Sequence, residues 1–406
     1  MKNLVIIGKV FPEPNSTAAG SRMLQLMEIF LSQNYQITFL STASISENSF
    51  DLNSKNIQFQ NIVLNDNSFD DLIKKLNPEI VIFDRFTTEE QFGWRVSEQV
   101  PNAVKILDTE DLHFLRNARE KAFKQNKNLE NSDLVNDVFK REIASILRCD
   151  LSLIISEFEM NMLKNQFKID EKILHYLPLF TEIKNSETQF SERKNFISIG
   201  NFLHEPNWQT VLQLKKIWKN IKNQLSEAEI HIYGAYATEK VFQLHNQKEG
   251  FIIKGRAENV ESVFNQAKVL LAPIPFGAGI KGKLLESMQF GLPNVTSTVG
   301  AEAMHGNFDW NGFITDNETE FVEKAILLYQ DENIWQKSQE NGYLIAKNLF
   351  KKEIFEKDFT AKINWISEHL PEHRNTNFLG QILQHHTLQS TKYLSKWIEE
   401  KNSKNQ

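Results

Sequence analysis

The sequence predicts an α/β protein built from two Rossmann-like halves, each with a doubly wound parallel sheet. The chain has 406 residues, and a typical domain has about 100–200. Short apolar segments alternate with amphipathic segments in the manner of βαβ units. This alternation restarts at Phe196 after a polar stretch. The two halves should therefore face each other across a cleft formed by the carboxyl ends of their strands.

The first half, residues 1–180, is expected to contain six strands. Apolar runs of strand length mark them at 4–7, 36–40, 57–64, 80–83, 104–107 and 151–155. Met23, Leu26, Met27 and Phe30 recur at three- and four-residue spacing, which predicts a helix after the first strand. Residues 181–195 are mostly polar and charged, which is typical of an interdomain linker.

The second half is expected to cover residues 196–350. Its predicted strands are 196–199, 229–233, 251–254, 269–272 and 293–297, and its predicted helices are 207–218, 260–266, 283–290, 318–329 and 334–349. Residues 351–370 are expected to form a helix that crosses back to the first half. Residues 371–406 lack the strand pattern, which predicts a helical appendage with a frayed tail.

Composition and charge restrict the partners and the compartment. Lysine and arginine total 46 against 52 acidic residues, for a net charge of -6, and no basic stretch provides a nucleic-acid footprint. The single cysteine, Cys149, cannot form an internal disulfide, which favours a cytoplasmic location. No window reaches the about 18–20 apolar residues of a membrane span. Only a peripheral contact with a membrane is left open.

The segment 275–304 carries the most chemical information. Gly277, Gly279 and Gly282 crowd a turn between a strand and a helix, where backbone can approach a ligand and unpaired N–H groups can bind an anion. On a helical wheel Lys283 and Glu286 lie about 60° apart, opposite an apolar side. Both side chains could therefore contact the same ligand. The alternative is a solvated ion pair beside a tight turn.

These features resemble the GT-B glycosyltransferases, specifically the retaining family 4 with its C-terminal "glycosyl transferases group 1" domain. In that family a glycine-rich loop, a helix with a glutamate and the motif G-x-P-V-V follow in this order. Here they are GAGIKGK, Glu286 and Gly291-Leu292-Pro293-Asn294-Val295. The resemblance implies that Glu286 binds the ribose hydroxyls of a sugar nucleotide. It also implies that loop residues Gly277, Gly279, Ile280 and Gly282 hold its diphosphate.

The stretch 80–119 resembles the acceptor-side half of a subset of these enzymes. The resemblance makes His113 the candidate for contact with the transferred sugar, and the alternative is a histidine that caps the next helix. Asp108 and Asp111 follow the same strand. Arg116 and Arg119 share a helix face and suit a phosphate or carboxylate, although Glu110 and Asp111 could be their partners.

Further positions match the family or depart from it. Gly20 and Arg22 match an N-terminal loop near the donor phosphates, although Ser21 between them could be a plain helix cap. Gly200 and Asn201 match the loop that follows the linker in this family, which implies that they contact the donor. Many members carry an arginine directly after this glycine and a lysine about five residues later, where this chain has Asn201 and Pro206. Arg256, Lys281 or Lys283 would then neutralise the diphosphate. The first glutamate of the family's paired motif is replaced by Ala278, so that the sugar contact rests on backbone groups.

The resemblance implies a hexosyltransferase-type enzyme that moves a sugar from a nucleotide diphosphate donor to an acceptor hydroxyl with retention. His113, Lys281 and Lys283 would be its catalytic residues. We expect no metal and no cofactor other than the donor substrate. The acceptor could be a glycan, a protein or a small molecule. The alternatives are a GT-B binding module with weak or no catalysis, and a GT-B sugar-nucleotide epimerase.

Overall fold

The N-terminal half contains a seven-stranded parallel sheet. The structure, a computed structural model, describes residues 2–403 apart from the side chains of 386–388. The strands are β1 (Lys2–Gly8), β2 (Tyr35–Ser41), β3 (Gln58–Asn61), β4 (Ile80–Asp84), β5 (Val104–Asp108), β6 (Leu151–Ile154) and β7 (Leu174–Tyr176). They lie in the order β3-β2-β1-β4-β5-β6-β7, so the chain reverses direction across the sheet between β1 and β4.

Helices cover both faces of this sheet. They are α1 (Ala18–Ser32), α2 (Ser68–Leu76), α3 (Phe86–Gln99), α4 (His113–Lys124), α5 (Asn131–Leu134), α6 (Asp137–Arg148) and α7 (Glu157–Asn161). Val5 and Ile7 of β1 pack into one apolar cluster, and Leu4 and Ile6 pack into the other. The unbroken apolar run of β1 is therefore explained by burial on both faces.

The C-terminal half repeats this design with six strands. They are β8 (Lys194–Ile199), β9 (Ile230–Tyr233), β10 (Phe251–Gly255), β11 (Ala267–Ala272), β12 (Asn294–Thr296) and β13 (Gly312–Ile314), in the order β10-β9-β8-β11-β12-β13. Its helices are α8 (Glu205–Gln224), α9 (Glu239–Phe242), α10 (Val260–Gln266), α11 (Gly282–Gln289), α12 (Thr298–Ala301), α13 (Glu318–Gln330) and α14 (Glu332–Leu349). The predicted α/β class with two doubly wound sheets is confirmed.

The differences from the predicted elements are concentrated at sheet edges. β7 and β13 have three residues each and were not predicted, because so short a run shows no periodicity. The strand expected at 57–64 is only β3, four residues long. Val63 and Leu64 lie outside β3 and are exposed. Edge strands are often this short, since their outer side has no pairing partner.

The stretch expected to be a polar linker contains a buried arginine. Arg193 donates hydrogen bonds to the carbonyl oxygens of Phe264 at 2.9 Å and Ala267 at 3.1 Å. Its side chain also lies over the ring of Trp335. The end of this stretch is therefore packed into the C-terminal half rather than solvated.

Three helices follow the second sheet: α15 (Lys352–Glu368), α16 (Leu370–Thr376) and α17 (Phe378–Ser403). Phe359, Ile363 and Ile366 of α15 are buried in an apolar cluster of the N-terminal half. The α17 helix packs against α3 and α6. The described part of α15 and α17 therefore packs on the N-terminal half. Residues 404–406 of the expected tail lie outside the described residues.

Candidate active site cleft

A cavity of about 570 Å³ lies between the two halves. On the N-terminal side it is lined by residues that follow β1, β4 and β5. On the C-terminal side it is lined by residues that follow β8, β9, β10 and β11. The carboxyl ends of both sheets therefore meet in one cleft, as expected for two doubly wound domains.

Two glycines of the loop after β11 allow close approach to the opposite half. Gly279 has φ +64°, and a Cβ atom there would lie 2.9 Å from Asp111 Cβ. A Cβ atom on Gly282 would lie 2.7 Å from Ala18 Cβ. Gly277 has room for a side chain, since the nearest atom, Lys281 Cε, would be 3.5 Å away. The loop 277–282 and the preceding Phe276 form part of the cleft wall.

The helix α11 presents a polar face to the cleft. Leu284 and Met288 are fully buried, whereas Lys283 and Glu286 line the cavity, as the helical wheel predicts. No described side chain caps α11. Its first N–H groups, together with the positive end of its dipole, can therefore bind an anion.

The Lys283 and Glu286 side chains have pKa values close to neutral pH. Burial raises the pKa of Glu286 to about 7 although Lys283 opposes the shift. Burial also lowers the pKa of Lys283 to about 8, against the attraction of Glu286. Lys283 Nζ donates to Asn207 Oδ1 at 2.6 Å, which fixes the ammonium on the cleft wall.

Lys281 braces the loop to which it belongs. Its Nζ donates to the carbonyl oxygens of Gly279 at 2.7 Å and Ala278 at 3.3 Å, and burial lowers its pKa to about 8. Ile280 next to it lines the cavity and packs in an apolar cluster with Leu284. Lys281 thus has one remaining N–H group for a ligand.

His113 lies on the opposite wall, at the start of α4. Its Nδ1 is 3.0 Å from Glu142 Oε1 and 3.1 Å from the carbonyl oxygen of Asp111. Both neighbours are acceptors, so Nδ1 carries the proton and a neutral ring has its lone pair on Nε2. Glu142 also accepts the backbone N–H groups of His113 and Phe114. A carboxylate, and not the imidazole of His113, therefore caps this helix.

Gly20, Arg22 and Asp108 do not line the cleft, contrary to expectation. Arg22 is fully buried, forms an ion pair with Asp108 at 3.1 Å and donates to the carbonyl oxygen of Pro178 at 2.8 Å. Its guanidinium joins α1 to β5 behind the cleft wall and cannot reach donor phosphates there. Gly20 instead packs on the backbone of Glu13. The α1 cap is Thr17, not Ser21, since Thr17 Oγ1 accepts the Gly20 N–H at 2.9 Å.

The two arginines of α4 have different partners. Arg116 lines the cavity and is paired with Asp111, which also lines it. Arg119 donates to Glu302 at 2.7 Å and to the carbonyl oxygen of Gly277 at 2.7 Å. The expectation that Arg119 serves an acceptor is therefore corrected, because its guanidinium holds the two halves together.

Gly200, Asn201 and Arg256 all line the C-terminal wall. Asn201 shapes the turn before α8, because its Oδ1 accepts the Leu203 N–H at 2.8 Å and its carbonyl oxygen accepts Asn207 Nδ2 at 2.9 Å. Arg256 is exposed, and no hydrogen bond connects its guanidinium to another described residue. Pro206 lies in the first turn of α8, where its missing N–H is not needed.

Glu159 of α7 connects the two walls of the cleft and was not predicted from the sequence. Its Oε1 accepts the Gly279 N–H at 2.8 Å and the Leu112 N–H at 3.0 Å. Burial, followed by the charge of Asp111, raises its pKa to about 8. No local motif marks this glutamate, because its partners lie far away in the sequence.

Three other cleft residues were not predicted. His204 precedes α8, and burial lowers its pKa to about 4, so that it is uncharged at neutral pH. Arg85 directly follows β4 and has φ +71°, and Glu110 lies two residues after the end of β5 and has φ +65°. Positive φ values cost energy for such residues and are typical of functional sites.

Within 2–403, no three or more histidine, cysteine, aspartate or glutamate side chains are grouped so as to hold a metal ion. Over the same part of the chain, every helix is too short or too polar to cross a membrane.

Residues 193–331 match the family model described as "Glycosyl transferases group 1". No curated protein matches the sequence. This matched region contains the loop 277–282 and α11, together with all six strands of the second sheet. The sequence resemblance to GT-B glycosyltransferases is confirmed in this region.

Similar solved structures cover most of the chain at low identity. Anabaena Alr3699/HepE in complex with UDP and glucose has a TM-score of 0.68 and 11% identity, over 90% of this chain and 100% of that one. The pneumococcal O-GlcNAc transferase GtfA in complex with UDP and GlcNAc has a TM-score of 0.66 and 14% identity, over 90% and 99%.

A third structure is longer than this chain. A mutant of S. aureus TarM, in complex with fondaparinux, alpha-GlcNAc-glycerol and UDP, has a TM-score of 0.59 and 14% identity. The match spans 73% of this chain and 58% of that one. At such identities the likeness is one of fold, and the fold is GT-B.

Proposed function

We propose that this protein is a cytoplasmic, retaining glycosyltransferase of hexosyltransferase type. It moves a sugar from a nucleotide diphosphate donor to an acceptor hydroxyl. The observation that carries the proposal is the wall formed by loop 277–282 and α11. This wall combines free N–H groups, two lysines and Glu286, and it faces His113 across a cavity of about 570 Å³.

Each part of this wall suits one part of a nucleotide sugar. The start of α11 and the loop amides other than that of Gly279, whose N–H donates to Glu159, bind the diphosphate, with Lys283 as its counter-charge and Lys281 behind the loop. The Glu286 carboxylate accepts hydrogen bonds from the two ribose hydroxyls. Arg256 is an exposed cation on the same wall and adds to the positive field around the diphosphate.

Transfer with retention in a single displacement, without a covalent glycosyl-enzyme, requires the acceptor to attack on the side from which the diphosphate leaves. In this scheme the departing phosphate oxygen accepts the proton of the acceptor hydroxyl. The lysines and the α11 dipole stabilise the charge that grows on the diphosphate. His113 contacts the transferred sugar, and the Glu142 carboxylate sets the orientation of its ring.

A donor panel tests the proposal. Thermal shift with UDP-, GDP- and ADP-sugars should identify one nucleotide, since a ligand at 100 times its Kd adds about 2.7 kcal/mol of stability. The selected donor should then lose its sugar in the presence of candidate acceptors. Absence of stabilisation by every nucleotide sugar would contradict the proposal.

Chelation tests the metal-independent form of this chemistry. The diphosphate has counter-charges in Lys281, Lys283 and the α11 terminus, so transfer should continue in excess EDTA. Loss of transfer on chelation, restored by magnesium or manganese, would contradict metal independence.

A nucleotide-sugar binding module is the second candidate. Ala278 supplies no carboxylate to the loop and packs with the apolar cluster of the N-terminal half. A module of this kind would bind the nucleotide and leave every donor intact. A GT-B epimerase would instead change the donor sugar without any acceptor.

A further inference from the structure

The N-terminal wall of the cleft carries three cationic side chains that take no part in the donor site proposed above. They are Lys9 after β1, Arg85 after β4 and Arg116 in the first turns of α4, and all three line the cavity. Because β1, β4 and β5 are neighbours in the sheet, these side chains converge at one place. We propose that Lys9, Arg85 and Arg116 form a binding site for a phosphate or carboxylate group of the acceptor.

Arg85 has the largest unused hydrogen-bonding capacity of the three. Its nearest charged partner is Asp84, whose Oδ1 lies 3.8 Å from Arg85 Nε, beyond hydrogen-bond distance. No described residue accepts a hydrogen bond from the Arg85 guanidinium, which has five N–H donors. The residue is also held at φ +71° at the start of α3. A planar guanidinium in this state suits a bidentate phosphate or carboxylate.

Lys9 lies in the field of the other two cations. Burial and then the charges of Arg85 and Arg116 lower the pKa of Lys9, and the attraction of Asp84 offsets them only in part. Within the described chain its ammonium has no ion pair or hydrogen bond. A bound anion would relieve the repulsion among the three groups.

Four carboxylates lie near these cations, on Asp84, Asp108, Glu110 and Asp111, and each keeps a buried oxygen that accepts no hydrogen bond from a described residue. Asp108 is paired with Arg22, and Asp111 is paired with Arg116. Asp84 Oδ2 accepts the backbone N–H of Lys9 at 3.0 Å. Burial and the charge of Asp108 raise the pKa of Glu110 well above its usual range. The charges of these carboxylates raise the pKa of Arg85 against the effect of burial, but none of them accepts a hydrogen bond from its guanidinium. The N–H groups of Arg85 and the ammonium of Lys9 therefore remain available to a bound anion.

The position of the site favours the acceptor over the donor. The diphosphate has its own cations on loop 277–282 and α11, on the other wall. This assignment rests on the proposed function, because an acceptor that attacks a donor sugar held at loop 277–282 would reach it from the opposite, N-terminal wall. An acidic sugar or a phosphorylated acceptor would place its charge on these residues.

Calorimetry with glucose 6-phosphate and glucose as probes tests the inference. Both are titrated into the whole protein, without nucleotide and with the nucleotide that the donor panel selects. Glucose 6-phosphate should bind at least about tenfold more tightly than glucose, as expected for a charge-assisted hydrogen bond. Arg85→Gln and Lys9→Gln should each remove most of this difference and leave the nucleotide affinity within about twofold.

Arg141→Gln is the matched control. Arg141 belongs to the same half, is paired with Glu90 on the surface and does not line the cavity. Three results would overturn the inference: equal binding of the two sugars, an equal loss of nucleotide affinity in Arg85→Gln, or displacement of glucose 6-phosphate by the nucleotide. If the proposed function is wrong, no nucleotide will bind. The titration of glucose 6-phosphate without nucleotide would still show whether Lys9, Arg85 and Arg116 bind an anion.

Discussion

At the scale of single residues, the cleft-facing side of α11 carries two side chains that titrate near neutral pH. Glu286 and Lys283 are one helical turn apart on α11 and both line the cleft. Burial moves their pKa values toward each other, to about 7 and about 8. Their charge states, and with them the affinity for a nucleotide, should therefore change over a narrow pH range.

Replacement of Glu286 by alanine should weaken nucleotide binding and leave the fold intact. One charge-assisted hydrogen bond contributes about 1.5–3 kcal/mol, which corresponds to an about 10- to 150-fold loss of affinity. Calorimetry with the selected nucleotide measures the change. Gln289→Ala, on the same helix but outside the cleft, is the control, and equal affinities in wild type and Glu286→Ala would refute the role of Glu286.

Nucleotide affinity should be greatest between about pH 7 and about pH 8. Below this range Glu286 takes up a proton and loses charge as an acceptor, and above it Lys283 loses its positive charge. In Lys283→Arg the charge persists, so the alkaline decrease should move to higher pH. Titrations from about pH 5.5 to about pH 9.5 measure both limbs. A flat profile in the wild type would show that neither group controls binding.

At the scale of elements, the loop 277–282 belongs both to the proposed donor site and to the contact between the two halves. Its glycines are not equivalent, since Gly279 and Gly282 face the opposite half at short distance and Gly277 does not. Lys281 fixes the loop from within, and Glu159 and Arg119 hold it from the other half. A substitution that disturbs the conformation of this loop should therefore also weaken the contact between the two halves.

Gly279→Ala should destabilise the protein and raise the KM for the donor. Alanine at φ +64° costs about 1–2 kcal/mol, and its Cβ atom would also contact Asp111. Gly277→Ala is the matched control, with an expected effect within about 0.5 kcal/mol. Thermal unfolding and donor kinetics measure both variants. Equal behaviour of the two would mean that close approach at Gly279 is not needed.

The sequence indicated which side chains share the wall formed by loop 277–282 and α11, but not which side chains meet on the opposite wall, for a physical reason. Lys283 and Glu286 are separated by one helical turn, so that helix periodicity places them on one face. Glu159 meets Gly279 across 120 positions, and Arg22 meets Asp108 across 86. Only the assembled fold brings such groups together. For the same reason the burial of Arg22 and the bridge formed by Arg119 could not be predicted.

At the scale of the whole molecule, polar and apolar contacts join the two halves around the cleft. Arg119 reaches Glu302 and Gly277, and the rings of Phe123 and Phe276 lie 5.2 Å apart. Glu159 accepts one N–H group from each side. The relative position of His113 and the donor loop is therefore set by contacts that cross between the halves.

Glu159 should make the stability of the protein fall as the pH rises. Its pKa is raised from 4.5 to about 8 in the folded protein, so the unfolded chain releases this proton at lower pH. Stability is therefore lost progressively between about pH 4.5 and about pH 8, with no further loss above it. Glu159→Gln retains an oxygen acceptor for both N–H groups and should lack this loss.

Chemical denaturation at about pH 5.5 and about pH 8.5 compares the two proteins. The Gln variant should gain stability relative to wild type at the higher pH. Glu159→Ala should lose the bridge at both pH values and show a higher KM for the donor. The same pH dependence in wild type and Glu159→Gln would exclude Glu159 as the titrating group.

The most direct test of sugar transfer in this cleft is proton NMR of the anomeric signal during a reaction. The protein is incubated with the donor that the panel selects and with an acceptor that it glycosylates. The donor signal should decay and the product signal should have the same anomeric configuration, with little conversion in Glu286→Ala. An unchanged donor signal would contradict transfer, and a product of opposite configuration would contradict retention.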